Sequence, residues 1–458
     1  MTLEDAFLLD PAGPHVFAVA AFELDDRSNQ RYTMALTGRP LRPAVDGDGV
    51  WRALMVCIAE GRTIGALPRT PDAAGGAPGP VTAALVCRPS QALAEIVPGG
   101  PDAVRGMAER ALGADQSNSS AVIGEQVLLK AYRRLETGLN PELELVAFLT
   151  EVARFPAVAP LAGYAEIVSS ASGAATVAVA QGFVADAAEA YESIAESLVG
   201  WMLAPGQVSV EFATEVAAEL GSLTAGMHAA LSDDHDLPEF APREATRAEL
   251  RSWARTAQRQ LVRALDVTPG EAGQVLRDRA AVIAAELTVF EALPTSPRLS
   301  RVHGDYHLGQ VLVGPDGYWV VDFEGEPLRP LDERGAHGSP LRDVACMLRS
   351  LDHVGRSAGR RAIARNGGPL ESPGLDLDAW LRRAPARFIE AYQAGLREAG
   401  APIDVDPALL RAFEIEKETY EFIYASTYLP SWLWAPTEGM RALLDTTGGA
   451  EQGGARLG

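Results

Sequence analysis

Two carboxylates and an amide stand at telling offsets in Arg301–Pro327, RVHGDYHLGQVLVGPDGYWVVDFEGEP. Asp305 follows His303 and Gly304, Gln310 comes five residues later, and Asp322 closes the second apolar run. Between them LGQVLV, the turn Gly314-Pro315-Asp316-Gly317 and YWVVDF have the pattern of a β-hairpin. A hairpin with one carboxylate before its first strand and another at the end of its second brings both to one end. Asp305 and Asp322 would then face one point, with Gln310 between them. Phosphoryl transfer needs such a set. One carboxylate accepts the hydroxyl proton as the nucleophile attacks, a second holds Mg²⁺ against the phosphates, and a side-chain oxygen beside the first completes the metal shell. Alone, HGD or DFE reads as an ordinary turn or strand end; together, at this spacing, they point to phosphoryl transfer.

A second signal is a scarcity. Of 40 basic residues only Lys130 and Lys417 are lysine. The codon bias of a GC-rich genome accounts for the arginines, but Arg and Lys are not interchangeable where a compact point charge is needed. Lys130 ends the apolar run VIGEQVLLK, which reads as a strand over Val122–Lys130. A lysine pointing to solvent at a strand end is the alternative to a phosphate contact.

These residues need elements to hold them. The 458 residues are too many for one average domain. Short β-type runs at His15–Leu24, Gln30–Leu36 and Trp51–Ala59 are followed by a Pro/Gly-rich linker, Pro68–Pro80. A helix is expected over Asp102–Leu112 and another over Pro141–Phe155, then strands over Ala162–Ser169 and Ala175–Gln181. From Tyr191 amphipathic helices dominate: Val208–Leu231, Arg243–Leu265, Gly270–Leu293, Pro340–Val354, Asp376–Ala399 and Pro407–Tyr428. This order predicts an α+β, two-lobed chain: a β-rich N-terminal cap module over residues 1–95, a small β/α lobe over 96–185, and an α-helical lobe over 186–458. The cap carries no catalytic constellation.

Composition narrows the partners. The net charge of −21 disfavours sequence-independent binding to nucleic acid or anionic membranes, which would repel it. Cys57, Cys87 and Cys346 form no CxxC pair, so neither a disulfide framework nor a zinc site is expected. The acidic N-terminus MTLEDAFLLD lacks the basic region of a signal peptide, and no run of about 20 apolar residues occurs, so a cytoplasmic protein, monomer or homodimer, is expected.

HGDxHLGQVL…DFEGEP resembles the maltokinase-like branch of the aminoglycoside-phosphotransferase and eukaryotic-protein-kinase-like superfamily, and DQSNSSAVIGEQVLLKAYRRLETGLNPELELVAFL is similar to that branch's phosphate loop, ATP lysine and following helix. The resemblance runs from about Gln116 to Trp434 and implies a bilobal kinase-like fold and a kinase that uses ATP and Mg²⁺ on a sugar hydroxyl. By the match, Lys130 contacts the α/β-phosphates, Glu144 is its ion-pair partner, Asp305 is the base, and Gln310 and Asp322 hold the metal, with Glu324 as a further ligand. Ser117, Asn118, Ser119 and Ser120 stand where protein kinases have a glycine-rich loop. There is no GxGxxG, yet small polar side chains with exposed N–H groups can cradle phosphate. Topology places the adenine contact near Gln181–Val184. Asp343 matches a brace for the catalytic loop.

The acceptor would lie against the C-terminal helices. In EIEKETYEFIYASTYLPSWLW, Lys417, Glu421, Tyr424 and Tyr428 share a helical face, and Trp432 follows the break at Pro430. Glu421, Tyr424 and Trp432 are read as substrate contacts, with His307 and Arg349 beside them; Glu414 and Glu418 are read as a solvated acidic face. YLPSWLWAPTEGM is similar to an actinobacterial glucosamine-kinase group. A glucosamine ammonium would need carboxylates without a competing cation, and Glu416, Glu421 and Asp305 are the candidates. Glucosamine is thus expected as acceptor, with its 6-hydroxyl as the position the resemblance implies, maltose, phosphorylated at the anomeric hydroxyl, as the alternative, and antibiotic phosphorylation ranked last.

Overall fold

The computed structural model describes residues 2–11, 13–23, 29–68, 83–113, 118–170, 173–326 and 329–445. Contacts divide the chain into two units, Met1–Ala187 with Val321–Gly335, and Ala188–Val320 with Ala336–Gly458.

The first unit holds two antiparallel sheets. β1 (Thr2–Leu8), β2 (Val16–Glu23), β3 (Asn29–Thr37) and β4 (Arg42–Pro43) form a four-stranded meander. β5 (Thr63–Gly65), β6 (Ala83–Pro89), β7 (Glu109–Ala111), β8 (Ser119–Ile123), β9 (Val127–Ala131), β10 (Leu161–Ser169) and β11 (Gly173–Gly182) form a seven-stranded sheet in the order β5-β6-β10-β11-β9-β8-β7. The expected boundary at residue 95 therefore needs correction. β6 lies before it and β10 after it, yet they pair from Gly163↔Pro89 to Ser169↔Ala83. The first 95 residues share one core with the lobe that follows: Phe7, Phe17, Leu54, Ile58, Leu85, Leu129 and Val177 are buried in the same cluster.

Three local expectations also change. Trp51–Ala59 lies in helix α1 (Val50–Ala59), whose buried residues Val50, Leu54, Cys57 and Ile58 follow helical spacing. The run is apolar on nearly every side, so its period was hidden. Val122–Lys130 is not one strand but the β8–β9 hairpin, turned by Gly124 and Glu125, both at positive φ. Asp102–Leu112 splits into a helix over Gly100–Gly106 and β7. α2 (Pro141–Ala147) begins as expected, capped by Asn140, whose side chain accepts from the Glu142 N–H, and continues as a π turn over Phe148–Val152. The expected linker Pro68–Pro80 lies, but for Pro68, outside the described residues, as does Ser117.

The second unit is mostly helical: α3 (Ala190–Leu203), α4 (Glu215–Leu231), α5 (Arg247–Val267), α6 (Gly270–Glu286), α7 (Pro340–Asn366), α8 (Leu377–Ala399), α9 (Pro407–Tyr428) and α10 (Trp434–Asp445). α7 runs twelve residues past the expected end at Val354 because Gly355 and Gly359 admit Trp380 and Leu377 of α8 rather than breaking it. The hairpin forms but is shorter than read: Val311–Gly314 pairs with Gly317–Val320 in the register Val311↔Val320, Leu308–Gln310 is a 3₁₀ turn, Asp322 lies two residues past the second strand, and Ala188–Glu189 adds a third strand. Cys57, Cys87 and Cys346 are buried thiols outside any disulfide. Among the described residues, no helix is long and apolar enough to cross a membrane.

Candidate active site

In the first unit, strand alternation builds the site. Val127, Leu129 and Ala131 of β9 face the core, which turns Lys130 to the opposite side. Its ammonium lies 2.6 Å from Asp322 Oδ1, 2.5 Å from Glu324 Oε1 and 3.0 Å from Glu142 Oε2. Burial would lower the Lys130 pKa; the three carboxylates outweigh it and raise it well above the ordinary value. Tyr132 donates its hydroxyl to Glu142 at 2.6 Å. Burial, with the charges of Asp322 and Glu324, lifts the Glu142 carboxyl to about 7 against the pull of Lys130. Oxygens of Glu142, Asp322 and Glu324 lie within 4.8 Å of one another, a donor set of hard oxygens that fits a divalent cation such as Mg²⁺. Asp322 adopts φ +64°, a left-handed conformation that Asp tolerates better than most side chains.

This geometry corrects the expected partner of Lys130. The ion pair goes to Glu142, not Glu144. Asn140-Pro141 opens α2, so Glu142 falls in its first turn with its side chain buried; two residues on, Glu144 is rotated by about 200° to another face. The Asn-Pro start signal was present in the sequence, but the helix phase was not. Of the expected phosphate loop, Asn118 donates its amide to Glu324 at 2.6 Å and Ser119 accepts from Arg133 at 3.0 Å, while Ser120 pairs with Lys130 across the hairpin. Gln181 uses its side-chain amide on the Ala159 carbonyl, and Val184 follows the end of β11.

In the second unit, Asp305 sits on a loop braced from beneath. Asp343, in the first turn of α7, accepts from the His303 N–H at 2.8 Å and the Gly304 N–H at 3.0 Å. His228 of α4 contacts Asp343 at 3.1 Å through Nε2 and Tyr392 of α8 at 2.8 Å through Nδ1. Burial would raise the Asp343 carboxyl, but His228, His303 and the Gly304 N–H hold it below its usual value. The brace expected at Asp343 is therefore extended by His228 and Tyr392, which no motif announced. Tyr306 is fully buried and accepts from Thr224.

Two groups face the Asp305 carboxylate. Oδ1 lies 3.5 Å from Lys417 Nζ, and Oδ2 lies 3.9 Å from His307 Nε2. His307 Nδ1 accepts from the Gly309 N–H, which leaves Nε2 as the protonated nitrogen of the neutral ring. Desolvation pushes His307 below the ordinary imidazole pKa, and Lys417 adds to this against Asp305. Lys417 also lies 3.2 Å from Glu421. Gln310 ends the 3₁₀ turn Leu308–Gln310, directly before the hairpin.

The remaining acceptor candidates divide. Arg349 is buried and held by Glu414 at 3.0 Å and by Asp352 at 3.8 Å, so it joins α7 to α9 and does not line an open cleft. Glu416 is buried 3.0 Å from Arg342, whose guanidinium covers the Phe413 ring. Glu418 is buried against His353 at 3.1 Å and Glu414 is half-buried against Arg349, which overturns the expected solvated face. Tyr424 is 39% exposed, in a row between Tyr420 and Tyr428. Trp432 lies edge-on to Trp434, with His353 beyond. The requirement for carboxylates without a competing cation fails: Glu416 has Arg342, and Asp305 and Glu421 share Lys417.

Comparison with known proteins gives one result. The phosphotransferase enzyme family model matches residues 109–385. A glucosamine kinase from Streptacidiphilus jiangxiensis is 31% identical over 73% of this chain and 73% of its own length. One from Mycolicibacterium smegmatis is 29% identical over 74% of this chain and 80% of its own. Among solved structures, a glucosamine kinase in complex with glucosamine, ADP and inorganic phosphate superposes with a TM-score of 0.71 at 26% identity, covering 96% of this chain and 93% of that one.

Proposed function

Because this chain belongs to the phosphotransferase enzyme family, we propose that it is a glucosamine kinase that moves the γ-phosphoryl group of ATP to the 6-hydroxyl of glucosamine. The kinase reading is carried by one observation: a lysine ammonium gathered with Glu142, Asp322 and Glu324 in the first unit. Support for glucosamine comes from the relatives and from the bound sugar in the solved neighbour, not from an uncompensated acidic wall.

Asp305 accepts the hydroxyl proton as the acceptor oxygen attacks the γ-phosphorus. The bond to the β–γ bridging oxygen breaks, and its electron pair leaves with ADP. Asp343, through the His303 and Gly304 N–H groups, keeps the loop that carries Asp305 in place. Lys130 binds phosphate oxygens, and Glu142 orients it. Asp322 and Glu324 would hold Mg²⁺ within the first unit, where it would offset phosphate charge, and Gln310 carries its metal role from the family resemblance alone. Asn118, Ser119 and Ser120 are assigned to the phosphates and Gln181–Val184 to adenine.

Coupled ADP release with Mg-ATP should be measured for glucosamine, glucose, maltose and an aminoglycoside. Glucosamine should give the highest kcat/KM, with glucosamine 6-phosphate as product. No release above background with any acceptor overturns the reading.

A further inference from the structure

Lys417 lies 112 residues from Asp305 in sequence, on α9, yet its Nζ is 3.5 Å from one oxygen of that carboxylate. The side chain is only 10% exposed, lies against the Tyr420 ring with its charge 4.8 Å from the centroid, and is tethered by Glu421 one helical turn on. An i,i+4 pair with Glu421 would be complete on the surface of α9 alone. Here the stem is instead buried so that the charge reaches the base.

We propose that Lys417 is a catalytic residue that donates a hydrogen bond to the phosphoryl group as it arrives on the acceptor oxygen; this rests on the sugar-kinase reading above. A hydroxyl that gives its proton to Asp305 must stand at hydrogen-bond distance from that carboxylate. An ammonium 3.5 Å from Oδ1 is then beside the oxygen that forms the new bond to phosphorus. In the step, the O–H proton passes to Asp305, the acceptor oxygen bonds to phosphorus, and the bond to ADP breaks with its electron pair. Lys417 neither gives nor takes a proton. It offsets charge on the phosphoryl oxygens, a role in which a fixed cation inside a dry site counts most. His307 faces the other carboxylate oxygen with its charge disfavoured, so Lys417 is the cation beside the base.

The chemistry also suits lysine rather than arginine. Nearly all basic positions in this chain are arginine, yet a planar guanidinium at 417 would lock bidentately onto Asp305 or Glu421. A compact ammonium with rotatable donors can follow the phosphoryl group.

The test uses the full-length chain with glucosamine and Mg-ATP. K417M keeps the apolar stem and K417A removes it; melting temperature and fluorescent-ADP affinity establish that each variant is folded and binds nucleotide. K417M should lower kcat about 100- to 1,000-fold while the KM for ATP stays within threefold. Propylammonium should restore K417A turnover at least tenfold, a rescue that a part in packing alone would not give. A K417M kcat within threefold of wild type, a loss confined to the KM for glucosamine, or absence of rescue overturns the assignment and leaves the kinase reading standing. A wild-type protein inactive on every acceptor overturns both.

Discussion

Glu142 Oε2 lies 3.0 Å from Lys130 Nζ and takes the Tyr132 hydroxyl proton bond at the same oxygen. The lysine is therefore aimed from the start of α2, by a carboxylate locked between two donors. E142Q should lower kcat/KM for ATP by about tenfold or more, the worth of roughly 1.4 kcal/mol of lost charge pairing. E144Q should stay within about twofold, because its side chain points to another face. Initial rates with ATP varied at saturating glucosamine decide the matter, and the reverse order of damage would reassign the partner.

D305N should leave ADP affinity within a factor of about three and lower kcat by roughly 100- to 10,000-fold, the range for loss of a positioned general base. Fluorescent-nucleotide titration beside coupled turnover separates the two. Substantial residual turnover would move the base elsewhere.

Arg349 and Glu414 bind α7 to α9 in a buried pair whose side chains are 7% and 15% exposed. E414A leaves a guanidinium without its main carboxylate and should destabilise the second unit by about 3 kcal/mol or more. The double variant R349M/E414L, apolar on both sides, should lose less than E414A alone. Urea unfolding midpoints read both, and equal losses would mean the pair is only a packing contact.

His353 and Glu418 carry a pH dependence of stability. Burial alone would lower the His353 pKa, but Glu418 at 3.1 Å, with Glu421 and Asp352, raises it above its ordinary 6.5. The folded state then holds the proton more tightly than the unfolded chain. The pair's contribution is complete below the unfolded value and is lost as pH rises through the higher folded one. Melting temperatures from about pH 6 to pH 9 should fall more steeply for wild type than for E418Q. Parallel curves would show that His353 is not charged.

The candidate site was legible in part, because phosphoryl-transfer chemistry restricts residue type. Of the residues read as candidates, Lys130 and Asp322 come together in the first unit, because each is placed by a short local element, a strand and the end of a hairpin. α9 was legible at both ends because Pro407 and Pro430 mark them. What failed was phase and partnership. Glu142 and Glu144 differ only in which way a short helix is rotated. Glu414 and Glu418 read as a wet surface, and Glu416 as a carboxylate for the amino sugar, until α7 places Arg349, His353 and Arg342 against them. No period within one helix announces the charges of another. Trp51–Ala59 failed for a further reason: a run apolar all round supports either period, and burial against β6 and β10 decides it.

The pairing of β6 with β10 bears on how this chain can be shortened. The first 95 residues look like a detachable addition, and a start codon after them would keep every catalytic residue named above. Such a product would carry a nine-residue strand, Leu161–Ser169, stripped along one side of its partner. A bare, apolar strand edge recruits other chains. Loss of the N-terminal region would thus appear first as inclusion bodies rather than as a slower enzyme, and natural deletions in the gene should spare residues 83–89 even where the catalytic parts are untouched.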